Sequence, residues 1–423
     1  MSRLFVALVL IFIIAGCNSN NNKTDEDQVI DTEVDDQDTS DEELSFELTP
    51  KTIETGEKTS RDIISCGEMI VICGESSGTG YVAAYKNGFE LWKNATDDYH
   101  IQSFNTLACG NDDTIYAAGD RYAQAESPLS GFLQALNMDG TIKWEKVLDN
   151  QKAVSIYAVT TDNEGNVYAG GRVDGSFENT TGIGEKDGFV AKYLASGEPV
   201  FISQFGTEVF DTVQAVAIGS DGFILAAGHS AGDLETGLGE NDSETGMKGF
   251  VVKLKPDGTI HWKKMYESDS FWDISTFLPG SFFIAGNITK SGLSKAVIFQ
   301  AGLDGRIKAT YNLTAEKNIT ATGISHDGKN NIYLTGYIDG NFSSGSRIPP
   351  VTTELKQGNN VFLGIISTFN GKLLYSGIFG GDSHDINPKV AVDSFQTPHL
   401  LYYSVENLTD SSGTAAMIRL ERE

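Results

Sequence analysis

The chain has 423 residues, room for one large or two ordinary domains. Its 46 glycines against 9 prolines, with 10% aromatics, point to many short strands joined by turns. A formal net charge of −27, from 31 Lys and Arg against 58 Asp and Glu, excludes a nucleic-acid binder, which needs clustered Lys and Arg, and excludes electrostatic docking on anionic lipid.

The chain opens like a targeting segment. Arg3 supplies a positive start, and Leu4 to Ala15 is an unbroken apolar run, too short to span a bilayer comfortably. The run ends Ile14-Ala15-Gly16-Cys17, which resembles the lipobox of bacterial lipoproteins, with residues 1–17 as signal peptide and Cys17 as the lipidated residue. Several acyl chains on one residue give a stable anchor where one chain does not. Residues 18–43 then carry eleven acidic residues against Lys23 alone. Such a segment cannot bury enough apolar surface to fold and repels itself, so it reads as a solvated tether with an end-to-end distance of roughly 30 Å.

From residue 44 the sequence repeats. A short apolar strand ending in glycine recurs, as in Val167-Tyr168-Ala169-Gly170-Gly171, Ile224-Leu225-Ala226-Ala227-Gly228 and Ile332-Tyr333-Leu334-Thr335-Gly336. The last copy, Leu400 to Ser404, lacks the glycine. A variable loop and a strand–turn–strand unit follow, clearest in Asp139-Gly140-Thr141-Ile142-Lys143-Trp144 and Asp257-Gly258-Thr259-Ile260-His261-Trp262, where Asp-Gly between apolar runs signals a hairpin. A third kind of strand, such as Ala215 to Ile218, precedes each glycine-ending one. Seven copies of about 54 residues, four antiparallel strands each, predict an all-β, seven-bladed β-propeller over residues 44–423. The last copy lacks its fourth strand, and Leu44, Phe46 and Leu48 alternate with Ser45 and Glu47, so residues 44–48 are expected to complete the seventh blade from the N-terminal side.

The run from Asn166 to Gly171, through Gly175-Ser176-Phe177 and Asp187-Gly188-Phe189-Val190-Ala191-Lys192-Tyr193 to Gln204-Phe205-Gly206, resembles the beta-propeller repeats called SBBP, found in bacterial surface and secreted proteins. The resemblance extends over residues 61–423 and is strongest in the third and fourth copies. It implies a seven-bladed propeller and no particular chemistry.

Several stretches invite a chemical reading. Gly74-Glu75-Ser76-Ser77-Gly78 and Gly228-His229-Ser230-Ala231-Gly232 match Gly-x-Ser-x-Gly, but the motif works at a strand-to-helix elbow, and both copies fall at one register of the repeat. His100, His229, His261, His326, His384 and His399 show no metal-ligand spacing and read as surface or turn residues. The acidic loops Asp174, Glu178, Glu185, Asp187 and Asp233, Glu235, Glu240, Asp242, Glu244 raise calcium, but neither has an EF-hand order. Trp144 and Trp262, with Phe201 and Ala309 at the same position of other copies, resemble the blade-docking tryptophans of quinone-cofactor propellers, without a constellation to hold a quinone. Sequons such as Asn94, Asn179, Asn287 and Asn407 mean little behind a bacterial lipoprotein signal. Cys66, Cys73 and Cys109 lie in apolar runs and read first as buried filler, with a disulfide as the alternative.

No catalytic, cofactor or metal residue is assigned; Cys17 is the single site, for lipidation. The expectation is a monomeric, non-catalytic lipoprotein of the bacterial outer membrane or cell surface, held by its lipid anchor and displaying a propeller that binds a protein or glycan. A periplasm-facing scaffold for outer-membrane assembly is the alternative, and an enzyme is a distant third.

Overall fold

The computed structural model describes residues 48–422, apart from 58, 96–100, 123–126, 240–242, 244, 343–359, 381–383 and 406–413. Cys17, the 18–43 tether and residues 44–47 lie outside the described residues. The described residues form seven four-stranded antiparallel sheets and no helix. Blades 1 to 6 occupy residues 59–95, 101–148, 153–205, 211–265, 270–313 and 319–379. The innermost strands, Thr59–Cys66, Ile101–Cys109, Ala153–Thr161, Asp211–Ile218, Ser270–Ser275, Ile319–His326 and His384–Val392, touch one another in sequence around a ring.

The core is divided seven ways. Each hydrophobic cluster is shared by two adjacent blades: Phe104 and Phe132 of blade 2 pack with Val71 and Val82 of blade 1, and Leu133 with Phe189 of blade 3. The seventh cluster joins Ile72 and Tyr81 of blade 1 to Leu401 and Met417 of blade 7. Both faces of each blade are therefore buried, which is why the second and third strands read as continuous apolar runs.

The recurring glycine has a steric cause. Every innermost strand carries a bulge, at Arg61, Asn105, Tyr157, Gln214, Trp272, Thr322 and Asn387-Pro388. In blades 1 to 6 the bulge pushes a carbonyl against the neighbouring strand, where only glycine leaves room. A Cβ on Gly171 would lie 1.9 Å from the Ser155 carbonyl oxygen, one on Gly228 1.9 Å from that of Thr212, and one on Gly336 1.8 Å from that of Thr320. Blade 7 is the exception that the last copy foretold. Its extra residue is spread over Asn387 and Pro388, with Asn387 at φ 57, and Tyr403 takes the glycine position opposite Ile386.

The fourth strands dock each blade on the next. Trp92 stacks on the turn at Gly140, Trp144 on Gly197, Phe201 on Gly258, Trp262 on Gly305 and Tyr311 on Gly371. The indoles also donate across the joint: Trp92 Nε1 to the Met138 carbonyl at 2.7 Å, Trp144 Nε1 to that of Ala195 at 2.9 Å, and Trp262 Nε1 to that of Leu303 at 3.3 Å. Trp92 is a third tryptophan at this position, introduced by Asn87-Gly88 rather than Asp-Gly. In blade 5 Ala309 holds the register position, and Tyr311, two residues on, supplies the ring.

The ring is closed by an N-terminal strand, as expected; Leu48 of the expected 44–48 lies in it, and residues 44–47 lie outside the described residues. The closing strand is Leu48–Glu54, paired antiparallel with Thr414–Arg422 from Leu48↔Arg422 to Glu54↔Ala416. It lies at the outer rim, where most side chains are exposed, so it lacks the alternation that drew attention to the residues before it. Pro50 is tolerated because an edge strand has a free N–H side. Ile53 fixes the register by packing on Gly88 of blade 1, the counterpart of the tryptophan contacts elsewhere.

Cys66 and Cys109 end the innermost strands of blades 1 and 2 and form a disulfide with Cα atoms 5.4 Å apart; Cys73 remains free and buried. The filler reading thus holds for Cys73 alone. The sequence signal was positional, since both bonded cysteines close the same strand in consecutive copies.

Two expectations follow. Gly171→Ala costs about 2–3 kcal/mol by forcing the bulge apart, whereas Gly364→Ala, whose Cβ would meet only leucine methyls at 3.5 and 3.6 Å, is close to neutral; urea denaturation of both variants checks the contrast. Deleting residues 18–47 leaves Tm nearly unchanged. Deleting 18–54 lowers it by several degrees or causes aggregation, because Leu48 and Ile53 are buried, each worth roughly 1.5–3 kcal/mol, and an open blade edge is left. Equal melting curves for the two truncations would show that the ring closes otherwise.

Candidate functional site: the axial channel

The bulges do more than crowd the neighbouring strand. In blades 2 to 5 they bring Asn105, Tyr157, Gln214 and Trp272 to the axis, where these residues line a cavity of about 700 Å³. That cavity opens at the face carrying the tight turns, since Asn163, Ser220 and His326 of those turns line it too. In an antiparallel four-stranded blade, the first-to-second and third-to-fourth connections leave on this face. The second-to-third loops leave on the other, and the longest join the strands of blades 3, 4 and 6.

Side chains on the first and second strands tie blade to blade. Asp62 accepts from the Ile63 amide at 2.9 Å and from the Leu107 amide of blade 2 at 2.8 Å. Asp273 does the same with Ile274 at 2.8 Å and Ile324 of blade 6 at 2.9 Å. Asp120 accepts from Asn105 Nδ2 and from the Ile156 amide of blade 3, both at 3.0 Å. Lys389 Nζ donates to the Thr322 carbonyl at 3.2 Å, and Asn387 Nδ2 donates to that of Ser60 at 3.2 Å, joining blades 6, 7 and 1. Burial raises the Asp62 carboxyl to about 6 against the pull of Lys389 and takes Asp120 to about 6; the Asp273 carboxyl is also pushed up by burial.

The loop-face mouth is formed by the residues that follow the repeat glycine. Arg172 lies over the rings of Tyr157 and Phe210, at 5.8 and 5.3 Å. His229 is buried between Phe210, stacked at 6.0 Å, and Trp272 at 5.6 Å; burial, then the charge of Arg172, lowers it to about 4, so it is neutral. The charge of Arg61 acts on Asp120 of blade 2, Tyr337 of blade 6 and Tyr403 of blade 7, so its guanidinium lies within electrostatic reach of three other blades. None of these was singled out for the site from the sequence except His229, which was read as a surface or turn residue. The signal was available: the position after the glycine is polar or aromatic in every copy.

The residues weighed from the sequence fall elsewhere or into structural roles. Ser230 is fully buried, its Oγ donating to the Gly232 carbonyl at 2.9 Å and accepting from the Gly232 amide at 3.0 Å. Ser76 ends the matching strand of blade 1. His399 is buried beside Asp393, with Nε2 3.1 Å from Oδ2, so it too departs from a surface role; His326 stacks on Phe277 at 4.5 Å. In the acidic loops, Asp187 is buried and accepts from the Ile183 and Gly184 amides and from Gln204 Nε2 at 2.7 Å. Asp233 accepts from the Glu235 amide at 2.9 Å, and Glu235 from that of Met265 at 2.7 Å. Glu240, Asp242 and Glu244 lie outside the described residues. Among the described residues the group with metal-ligand geometry is Cys66, Cys109 and Asp113, and its two sulfurs are joined to each other.

Sheet order, bulges and channel define a seven-bladed β-propeller. Residues 307–343 match the family model of SBBP, the beta-propeller repeat, and the chain is a propeller carrying that repeat. The match covers the last strand of blade 5 and the first two of blade 6, so the repeat frame crosses a blade boundary. The chain is 27% identical over 243 residues to the regulatory protein FlaEY of Caulobacter vibrioides, covering 48% of this chain and 25% of that protein, so it spans about a quarter of that relative. Among solved structures, it is similar to the WD40 domain of Toxoplasma gondii coronin, with TM-score 0.50, 10% identity and coverage of 90% of this chain and 88% of that one. A protein of unknown function from Dyadobacter fermentans gives TM-score 0.46, 13% identity and coverage of 78% and 96%. At such identities the likeness to coronin speaks of fold alone.

The sign of the buried carboxyls is testable. Asp62 and Asp120 bind protons more tightly folded than unfolded, so their contribution to stability is full below the unfolded value near 3.8 and is lost as pH rises through about 6. Asp139 and Asp257 are held below the usual carboxylate range by the Thr141 and Thr259 hydroxyls and amides. Carboxyl-carbon NMR is expected to show the first pair titrating near pH 6 and the second below pH 3.8. Coincident titrations would contradict the burial of the channel aspartates.

Proposed function

We propose that this protein is a non-catalytic, surface-displayed binding module, a propeller held to the outer membrane of a bacterial cell through lipid on Cys17. The fold supports a protein-interaction module in general. The observation that carries the finer reading is the separation of the two faces. Tight turns and the chain entry at Leu48 share one face, while the long loops and the Arg61–Arg172 mouth share the other. A segment that tethers the chain through Leu48 therefore leaves the loop face free for a partner. The Cys66–Cys109 disulfide supports a location outside the reducing cytosol. The Ile14-Ala15-Gly16-Cys17 run supplies the anchor and the acidic 18–43 stretch the standoff.

The test uses cells making the full chain. Protease added to intact cells is expected to remove the propeller, and Cys17→Ala to move it from the membrane to the soluble fraction in high salt. Protection in intact cells, with cleavage after the outer membrane is opened, would favour the inward-facing assembly scaffold instead. Membrane retention of the Cys17→Ala protein would rule out lipid as the anchor.

A further inference from the structure

The loop-face mouth holds two arginines that no carboxylate among the described residues pairs with. With 58 acidic residues against 31 Lys and Arg, a cation in this chain has carboxylates to spare. Arg121 pairs with Glu145, Arg306 with Asp304 and Arg419 with Glu421. Arg61 and Arg172 have no carboxylate within ion-pair distance among the described residues, although both are half-buried. The nearby Asp120 is committed to Asn105 and the Ile156 amide. Arg172 instead rests on the rings of Tyr157 and Phe210, which hold it in place and leave its N–H edge undischarged.

Two buried polar atoms at the same mouth have no hydrogen-bond partner among the described residues. Arg61 Nε has no hydrogen-bond acceptor, and neither has His229 Nδ1 a partner, on a side chain only 8% exposed. An orphaned buried donor costs about 1–3 kcal/mol and points to an absent water, ion or ligand group. Arg172 and His229 share the Phe210 ring, and Arg61 and Arg172 both act on Asp120, so groups from blades 1, 3 and 4 gather at one end of the ring. Arginine's planar fork matches a carboxylate edge, and two such forks around a neutral imidazole form a receptor for one carboxylate.

We propose that this mouth captures the free C-terminal carboxylate of a partner polypeptide, seated between Arg61 and Arg172 with His229 as a third donor. The choice of a single terminal carboxylate follows from two observations. A net charge of −27 repels a polyanion at long range, so the ligand carries few negative charges. Groups from blades 1, 3 and 4 can meet only inside the ring of blades, so a polypeptide reaches them end-on rather than side-on. The proposal rests on the reading of the loop face as the binding face, but not on membrane anchoring or surface display.

The test follows the arginine side-chain Nε–Hε resonances of the full propeller while three probes are added: an N-acetylated Gly-Ser-Ala-Ala-Ala peptide with a free C-terminus, its C-terminal amide, and inorganic phosphate. The free acid is expected to shift the Arg61 and Arg172 signals saturably and the amide not at all. Arg61→Gln and Arg172→Gln are each expected to weaken the free acid by about tenfold or more, with unchanged melting curves showing that the ring is intact. Equal shifts by acid and amide, or none by either at millimolar concentration, would overturn the carboxylate site while leaving the protease-shaving result untouched. Tighter binding of phosphate than of the free acid would also overturn it, in favour of a phosphate receptor.

Discussion

One carbonyl oxygen per blade sets the terms for the rest of this molecule. In blades 1 to 6 the bulge of the innermost strand moves that oxygen into the place of a Cβ on the next strand, and glycine at 74, 119, 171, 228, 286 and 336 is the sequence's answer. In blades 2 to 5 the same bulge brings a side chain to the axis and so furnishes the channel. A single backbone irregularity, repeated, therefore links the most visible sequence signature of the protein to its most chemically distinctive surface. Because the bulge residue itself touches no core, it is free to vary among Arg, Asn, Tyr, Gln, Trp and Thr. The glycine opposite is not.

Stability is distributed in the same modular way. There is no common centre; each blade is held by apolar clusters against its two neighbours, and all but blade 4 also by short polar ties at the axis. Those ties join blades 1 to 3 and 5 to 7 and then 1, whereas the positions matching Asp62 and Asp273 in blades 3 and 4 are Ala158 and Ala215. The joints around blade 4 therefore depend more on packing, where Phe205, Phe250 and Phe271 are fully buried. The disulfide reinforces the joint between blades 1 and 2, near the point where the ring is sewn shut.

The blade count, the strand order and the hairpin turns were legible because each rests on local chemistry: period-two apolar runs, Asp-Gly turns and a compulsory glycine. The reach of the closing strand beyond Leu48 was not legible, because a rim strand buries few of its side chains and the stretch Leu-Thr-Pro-Lys-Thr-Ile-Glu has no alternation to find. Trp92 escaped notice because its turn reads Asn87-Gly88. The mouth was harder still. Arg61 and Arg172 lie on different kinds of strand in different blades, and their lack of carboxylate partners is a property of three-dimensional neighbours that no spacing records. Pairing Cys66 with Cys109 required only laying one repeat on the next, a comparison of positions rather than of residue types.

The pairing of Leu48 with Arg422 has a mechanical consequence. Tension arriving through the residues before Leu48, while the loop face is held, pulls the closing strand lengthwise out of its blade. Its seven residue pairs with the last strand are then loaded together, in shear, rather than opened one at a time as a peeled edge would be. Pull and seam run in the same direction, so the joint that completes the ring is also the one best oriented to bear a load.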